Sequence, residues 1–367
     1  MKIICKQENL IKGLQKTIHI TGKNFNLPIL NNILLNVEKG NVELSATNLE
    51  IGIKTQIRGK VEKEGKITFP AKVLTEYINL IDGNENITLE IKKDNLEIST
   101  EKGWKTKIKT VSADDFPLIP DLESNKEIKI KVDSLRKALL KVMFAVSLDE
   151  TRPELTGILF IFKEDSLILV GTDGYKMSEY KIPAKNDFED KIIVPLKTVQ
   201  ELSRVLGEKE SGEVKVFFDD NQIKFEIDET IIISRLIEGE YPDYKQIIPL
   251  EFVSEFEISK DEIVKAIKAS SIFTKVGVFD ISIEFGKGFI EVSSINAQVG
   301  ENKIKIDNYN FSGEDGKIIF NYKFLLDGLS AMNGDKIKFF VNSVNNPVIF
   351  RSGKDENFLY LVMPIRQ

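Results

Sequence analysis

Apolar positions along the chain follow two rhythms, a spacing of three and four residues and a strict alternation, and the two recur in the same order three times. The stretches from Ile3 (IICKQENLIKGLQK), Ile130 (IKVDSLRKALLKV) and Phe256 (FEISKDEIVKAIKA) each begin by alternating and continue with helical spacing. With Leu10, Leu135 and Ile263 in register, Leu14, Leu139 and Ile267 follow one turn later, as a helix with one buried face requires. Ser259 and Glu262 predict a capping box at the third of these helices. Next come alternating pairs from Ile33, Ile158 and Ile281, which predict hairpins turning at Lys39-Gly40, Glu164-Asp165 and Gly286-Lys287. A strand then runs into a second helix from Ile67, Ile192 and Ile318. Pro70, Pro195 and Asn321 align at the junction, where a proline's missing N–H costs a helix nothing. A further strand pair begins at Ile87, Val214 and Ile337.

Four landmarks in constant order, about 125 residues apart, define an internal repeat of pattern more than of residue identity. It predicts three units, 1–120, 127–248 and 254–367, with boundaries near Asp121–Lys126 and Pro249–Ser254 that follow the proline-bearing, charged stretches DDFPLIPDL and EGEYPDYKQIIP. Two helices and about eight strands per unit give an α+β fold, with helices on one face of antiparallel sheets. Such sheets have edges that seek partners. Three units in a row can join edge to edge. If their curvature does not close on three, two chains close a ring of six by head-to-tail contacts.

Composition narrows the chemistry. His19 is the only histidine and Cys5 the only cysteine, so multi-histidine metal sites and intrachain disulfides are excluded. No GxxxxGK[ST] or GxGxxG loop is present, and no apolar run is long enough to span a membrane. Met1 to Leu10 lacks the apolar stretch of a signal peptide, and one cysteine suits a reducing cytoplasm. No cofactor is expected. The net charge of −6 does not announce a nucleic-acid binder, so any such role rests on where the charges sit. The windows expected to be helical are 8–19, 70–81, 133–148, 195–206, 260–272 and 323–332. They hold twelve Lys or Arg against seven acids, a surplus of +5 that leaves −11 for the rest. A helix-lined face would thus be basic within an acidic shell, an arrangement that attracts phosphates without reading bases.

Six stretches at these landmarks carry a resemblance. They are LPIL at Leu27, ADDFP at Ala113, ETRPELTGILF at Glu150, GTDGYKM at Gly171, EGEYPDY at Glu238 and the terminal YLVMPIRQ at Tyr360. In this order they resemble the bacterial DNA sliding clamps, the β subunits of the replicative DNA polymerase III holoenzyme, from Met1 to Gln367. The resemblance implies a non-catalytic processivity factor of DNA replication. It implies three clamp domains per chain, helices lining the inside and sheets outside, and a head-to-tail homodimeric ring around double-stranded DNA. The implied partners are the DNA polymerase, the ATP-driven clamp loader, and repair and replication proteins carrying clamp-binding peptides.

It also implies a pocket for those peptides, walled by Leu155, Thr172, Gly174, Tyr175, Lys176, Met177, Pro242, Ile247, Val362, Met363, Pro364, Ile365 and Arg366. Apolar side chains there would receive Leu or Phe anchors, while Arg366 or Lys176 meets carbonyls or acids. By the same resemblance Lys23, Lys72, Arg152 and Lys197 are candidate phosphate contacts. Thr106 and Ile108 would meet Ile272 and Phe273 across the dimer interface, with Lys105 and Lys107 facing acids such as Glu301. This sequence has Tyr175 where His is frequent in the family, Lys176 where Arg is frequent, and Gln246 where a basic residue is common. Asn24 and Glu154 likewise replace residues that are often basic and aromatic. The bland reading makes Leu155 and Met177 core residues and the strand lysines edge protection. Two other functions are open to the sequence. One is a peptide-binding scaffold of the same fold that does not encircle DNA. The other is a hydrolase using carboxylates near Asp173 or Asp243.

Overall fold

The computed structural model describes residues 1–22, 26–275 and 277–366. The first third runs β1 (Lys2–Lys6), α1 (Gln7–Ile18), β2 (Asn32–Glu38), β3 (Asn41–Thr47), β4 (Ile51–Ile57), β5 (Lys60–Lys63), β6 (Gly65–Pro70), α2 (Ala71–Asn79), β7 (Asn86–Lys92), β8 (Asn95–Thr100) and β9 (Lys105–Lys109). The second runs β10 (Glu127–Lys131), α3 (Val132–Val142), β11 (Gly157–Lys163), β12 (Ser166–Thr172), β13 (Lys176–Pro183), β14 (Asp190–Pro195), α4 (Leu196–Gly207), β15 (Glu213–Phe218), β16 (Gln222–Ile227) and β17 (Thr230–Arg235). The third runs β18 (Ser254–Ser259), α5 (Lys260–Ser271), β19 (Asp280–Gly286), β20 (Phe289–Asn296), β21 (Gly300–Ile306), β22 (Tyr309–Ser312), β23 (Gly316–Asn321), α6 (Tyr322–Ala331), β24 (Lys336–Val341), β25 (Val348–Ser352) and β26 (Phe358–Val362).

Compactness divides the chain differently from its repeat. One unit holds Met1–Asp133 with Gln200–Leu236, the other Ser134–Val199 with Ile237–Gln367, so the division passes through α3 and α4. The sheets give the reason. In the first unit β5-β1-β7-β8-β9 form one sheet, and β10-β15-β16-β17-β4-β3-β2-β6 another. There β17, the last strand of the middle third, pairs antiparallel with β4 of the first, Ile232 opposite Ile53. In the second unit β14-β11-β12-β13-β26-β25-β24-β18-β22 form a nine-stranded sheet, and β21-β20-β19-β23 a four-stranded one. There β26 closes on β13, Tyr360 opposite Ser178. Each junction between thirds is therefore a continuous hydrogen-bonded ladder. The equivalents of those strands at the two ends of the repeat, β9 and β21, remain edges.

The helical register is as the pattern requires. Leu10, Leu14, Leu135, Leu139, Ile263 and Ile267 are all fully buried, each worth roughly 1.5–3 kcal/mol of transfer free energy. The Ser259 hydroxyl accepts the Glu262 N–H at 3.5 Å. Asn321 caps α6 in the same way, accepting from the Lys323 N–H at 3.0 Å. Pro70 ends β6 and sits at the N-cap position of α2. Two expectations need correction. The third hairpin turns at Lys287-Gly288, one residue later than predicted, because Gly288 supplies the left-handed φ of 101°. Helix α3 ends at Val142, short of residue 148. A 3-10 turn follows at Met143–Ala145, and the Ser147 N–H then donates to the Leu155 carbonyl at 3.0 Å.

Close approach of α6 to β26 depends on Gly328. A Cβ there would lie 2.0 Å from the ring of Tyr360, which is fully buried and donates its hydroxyl to the Phe324 carbonyl at 2.7 Å. Gly328→Ala is expected to lower the unfolding free energy by about 1–3 kcal/mol despite alanine's better helix propensity, which denaturant titration measures. Cys5 lies in β1, an inner strand between β5 and β7, and burial pushes its thiol from the ordinary 9.0 up to about 12. The folded chain keeps that proton while the unfolded chain loses it. The thiol's contribution is full below pH 9.0 and is lost as the pH rises towards about 12. Wild type should lose stability relative to Cys5→Ala across that interval, by at most ~1.4 kcal/mol per pH unit. A difference independent of pH would refute the assignment.

Candidate functional site

Between β12 and β13 the chain makes a five-residue turn, Thr172 to Lys176. The Asp173 carboxylate accepts the N–H groups of Tyr175 and Lys176, both at 2.9 Å. The Thr172 hydroxyl donates to the Lys176 carbonyl at 2.7 Å and accepts the Gly174 N–H at 3.1 Å. Asp173 is thereby a turn-forming acid, the ordinary use of Asp at such a position. Asp243 is exposed and accepts the Gln246 amide at 2.9 Å.

Beneath the turn lies an apolar cluster of Leu155, Leu159, Val170, Met177, Ile193, Tyr241, Tyr244, Ile349 and Leu361, with Ile248 and Met363 packed against it. Tyr241 is buried, which raises its phenol pKa. Tyr244 donates to Glu179 at 2.6 Å, and burial together with the Glu179 charge pushes its phenol up as well. The tail completes the wall. Val362 pairs with Lys176, the Met363 N–H donates to the Tyr175 carbonyl at 2.8 Å, and the Ile365 N–H donates to the Ile319 carbonyl at 2.8 Å.

The expected wall residues thus divide by accessibility. Gly174, Tyr175, Ile247, Ile365 and Arg366 are exposed, and Pro242 and Met363 are half-buried. Leu155, Thr172, Met177, Val362 and Pro364 are buried. Leu155 and Met177, at 2% and 0% exposure, belong to the core beneath the exposed residues rather than to the surface. Lys176 differs most from expectation. Its ammonium is 2.8 Å from Asp327 and lies over the rings of Phe324 and Phe144, so it is committed within the fold instead of free for an incoming acid. Tyr175 stacks over the same Phe324 at 6.5 Å. Sequence reading missed Asp327, Phe324, Tyr241 and Tyr244. The two tyrosines stood inside a quoted stretch, but Asp327 and Phe324 lie 151 and 149 residues from their partners with no local signal.

The charged candidates are also unequal. Lys23 lies outside the described residues. Lys72 is exposed and 3.7 Å from Glu76, Arg152 is 3.0 Å from Glu154, and Lys197 is exposed with no ion pair among the described residues. Several helical bases are paired with acids of their own fold. Lys137 and Lys141 share the buried Asp355 at 3.0 and 3.3 Å, and Arg204 bridges Glu201 and Glu208. Lys12, Lys265 and Lys268 stay exposed without ion pairs among the described residues, so the net positive surface is smaller than the helix count implied. In the dimer set Ile272 is 71% exposed, whereas Ile108 is 7% exposed and packs into its own unit. Ile108 is therefore not free to meet a partner side chain, because alternation turns it inward from the edge strand.

Among the described residues no group of three or more His, Cys, Asp or Glu side chains is gathered as for a metal ion. Family models of the DNA polymerase III beta subunit match the chain throughout. The N-terminal domain matches residues 1–120, the central domain 129–243 and the C-terminal domain 245–366. A beta sliding clamp from Synechocystis sp. is 30% identical over 391 residues, covering 100% of this chain and 99% of the relative. A putative DNA polymerase III beta subunit from Eubacterium rectale has a solved structure similar at a TM-score of 0.93, with 30% identity and coverage of 100% and 99%. The DNA polymerase III beta subunit of Thermotoga maritima gives a TM-score of 0.94 at 26% identity, with the same coverage. With three successive domain matches and full-length relatives, the chain belongs to the DNA polymerase III beta subunit family, the beta sliding clamps.

Proposed function

We propose that this protein is the processivity factor of DNA replication, a non-catalytic clamp that encircles duplex DNA as a head-to-tail homodimer and tethers polymerase to it. The observation carrying this reading is the pair of unmatched edges. Within the chain, equivalent strands join as β17 with β4 and β26 with β13. The strands left over by the same repeat, β9 and β21, have only a second copy in which to find the missing partner. Carrying the in-chain register across puts Lys107 opposite Glu301 and Thr106 opposite Asn302. Lys107 already lies 2.8 Å from Glu97 on β8, so the joint would share a charge pair. Exposed Lys12, Lys197, Lys265 and Lys268 supply positive charge for phosphates without base contacts.

The groove beside Tyr175 is the docking site for peptides of the polymerase, the clamp loader and repair proteins. It offers the exposed Tyr175, Ile247 and Ile365 over an apolar floor. Arg366 is the cation available there, since Lys176 is paired with Asp327. No described helix is long and apolar enough to cross a membrane, and the proposed place of action is the cytoplasm, on the chromosome. The scaffold that never encircles DNA is separated from this reading by topology. A loaded clamp stays on closed circular DNA and leaves linear ends.

Lys107→Cys combined with Glu301→Cys should crosslink two chains under oxidation, doubling the 41.6 kDa mass on a non-reducing gel, with Cys5 buried and silent. The crosslinked ring, once loaded on a nicked circle, should resist release until the DNA is cut. No crosslink, together with monomeric mass in solution, would overturn the ring. Deleting Met363–Gln367 removes both backbone bonds of the tail. It should abolish binding of a polymerase C-terminal peptide while the mass of the dimer is unchanged, and undiminished peptide affinity would reject the groove.

A further inference from the structure

A second turn in the chain repeats the Thr172–Lys176 turn, bond for bond, 125 residues earlier. The Thr47 hydroxyl donates to the Ile51 carbonyl at 3.0 Å and accepts the Leu49 N–H at 3.0 Å. The Asn48 side-chain oxygen accepts the N–H groups of Glu50 and Ile51 at 3.0 and 2.8 Å. The chain leaving β17 docks on it as the tail docks on the other, with the Arg235 N–H donating to the Glu50 carbonyl at 3.0 Å. Beside this turn is a cavity of about 380 Å³, lined among others by Leu49, Ile51, Leu118, Ile119, Ile233 and Arg235. Ile119 lies against Gly52, where a Cβ would sit 2.6 Å from its side chain. It fills the floor position that Met177 fills in the other groove.

Two features separate this groove from ordinary loop packing. Leu49 holds a φ of 76° where the other turn has Gly174 at 88°. A bulky L-residue in the left-handed region is strained, yet its side chain is 49% exposed and contributes little to the core. Leu118 is 91% exposed on the same rim. Apolar side chains displayed at such cost around a concavity mark an interaction site. The rim charges are Glu50 and Arg235, neither in an ion pair among the described residues, and one charge of each sign is no track for a nucleic-acid backbone. The volume admits one or two side chains and is too small for a folded face.

We infer that the groove between Thr47–Ile51 and Leu118–Pro120 is a second docking site for short linear peptides, taking a Leu- or Phe-sized anchor beside an acidic residue that pairs with Arg235. The inference rests on reading the Thr172–Lys176 groove as a peptide site, and the test reports on the two separately. Methyl-labelled full-length protein is titrated with acetyl-Leu-Asp-Leu-Phe-amide and followed by NMR. Methyl groups of Leu49, Ile119 and Ile233 report on the new groove, and those of Leu155, Ile248 and Met363 on the other. Both sets should shift and saturate. Arg235→Glu should weaken the first set at least tenfold and leave the second unchanged. Leu49→Gly relieves the backbone strain, so it should weaken the first set without lowering the unfolding midpoint. Shifts confined to the second set up to millimolar peptide would overturn the inference and keep the first groove's reading. Shifts in neither set would remove both. Movement of the first set on dilution of protein alone, with none on peptide, would make this face a self-contact and also overturn it.

Discussion

Backbone hydrogen bonding between the thirds of the chain is the constraint from which the rest follows. An edge strand presents N–H and C=O groups that must find partners, and here β4 takes β17 while β13 takes β26. Because each ladder draws one strand from each of two repeats, the compact units cut through the middle repeat instead of falling between repeats. The same ladders bring together segments far apart in sequence. Val362 lies beside Lys176 only because the last strand completes the sheet of the middle third. The apolar cluster beneath the Thr172–Lys176 turn is a consequence of sheet closure, and its residues come from whichever segments the ladder places at that end.

Local pattern was legible where one face of an element decides its burial. The six core positions of α1, α3 and α5 follow from i, i+4 spacing, and all six are buried. Two of the three predicted turns fall where alternation breaks, and the third moved by one residue because Gly288, not Gly286, carries the positive φ. The end of α3 was not legible. Its last turn gives way because a loop bond from Ser147 to Leu155 competes with helix continuation, and no residue in the window advertises that bond.

The site was legible as a set of segments and less so as a set of roles. Motif stretches around Gly171, Glu238 and Tyr360 do converge on one apolar cluster. Which members face solvent depends on strand alternation and on partners far away. Alternation buries Met177 and Ile108, and Asp327 captures Lys176 from a helix with no sequence link to it. Counting helix charges failed for the same reason. Lys137 and Lys141 count twice in a tally but share one aspartate in space, and Arg204 is held between two glutamates.

The Lys176–Asp327 pair also sets the electrostatic character of the groove it borders. Cation and anion lie 2.8 Å apart with the lysine almost wholly enclosed, so their fields largely cancel at the distance of a bound ligand. A peptide docked there, as proposed, would be held by shape and desolvation more than by this charge pair. Added salt would then slow the encounter only slightly and leave the lifetime of the complex nearly untouched. On the proposed reading of this site, one client gives way to another without a large electrostatic barrier in the crowded ionic environment beside a chromosome.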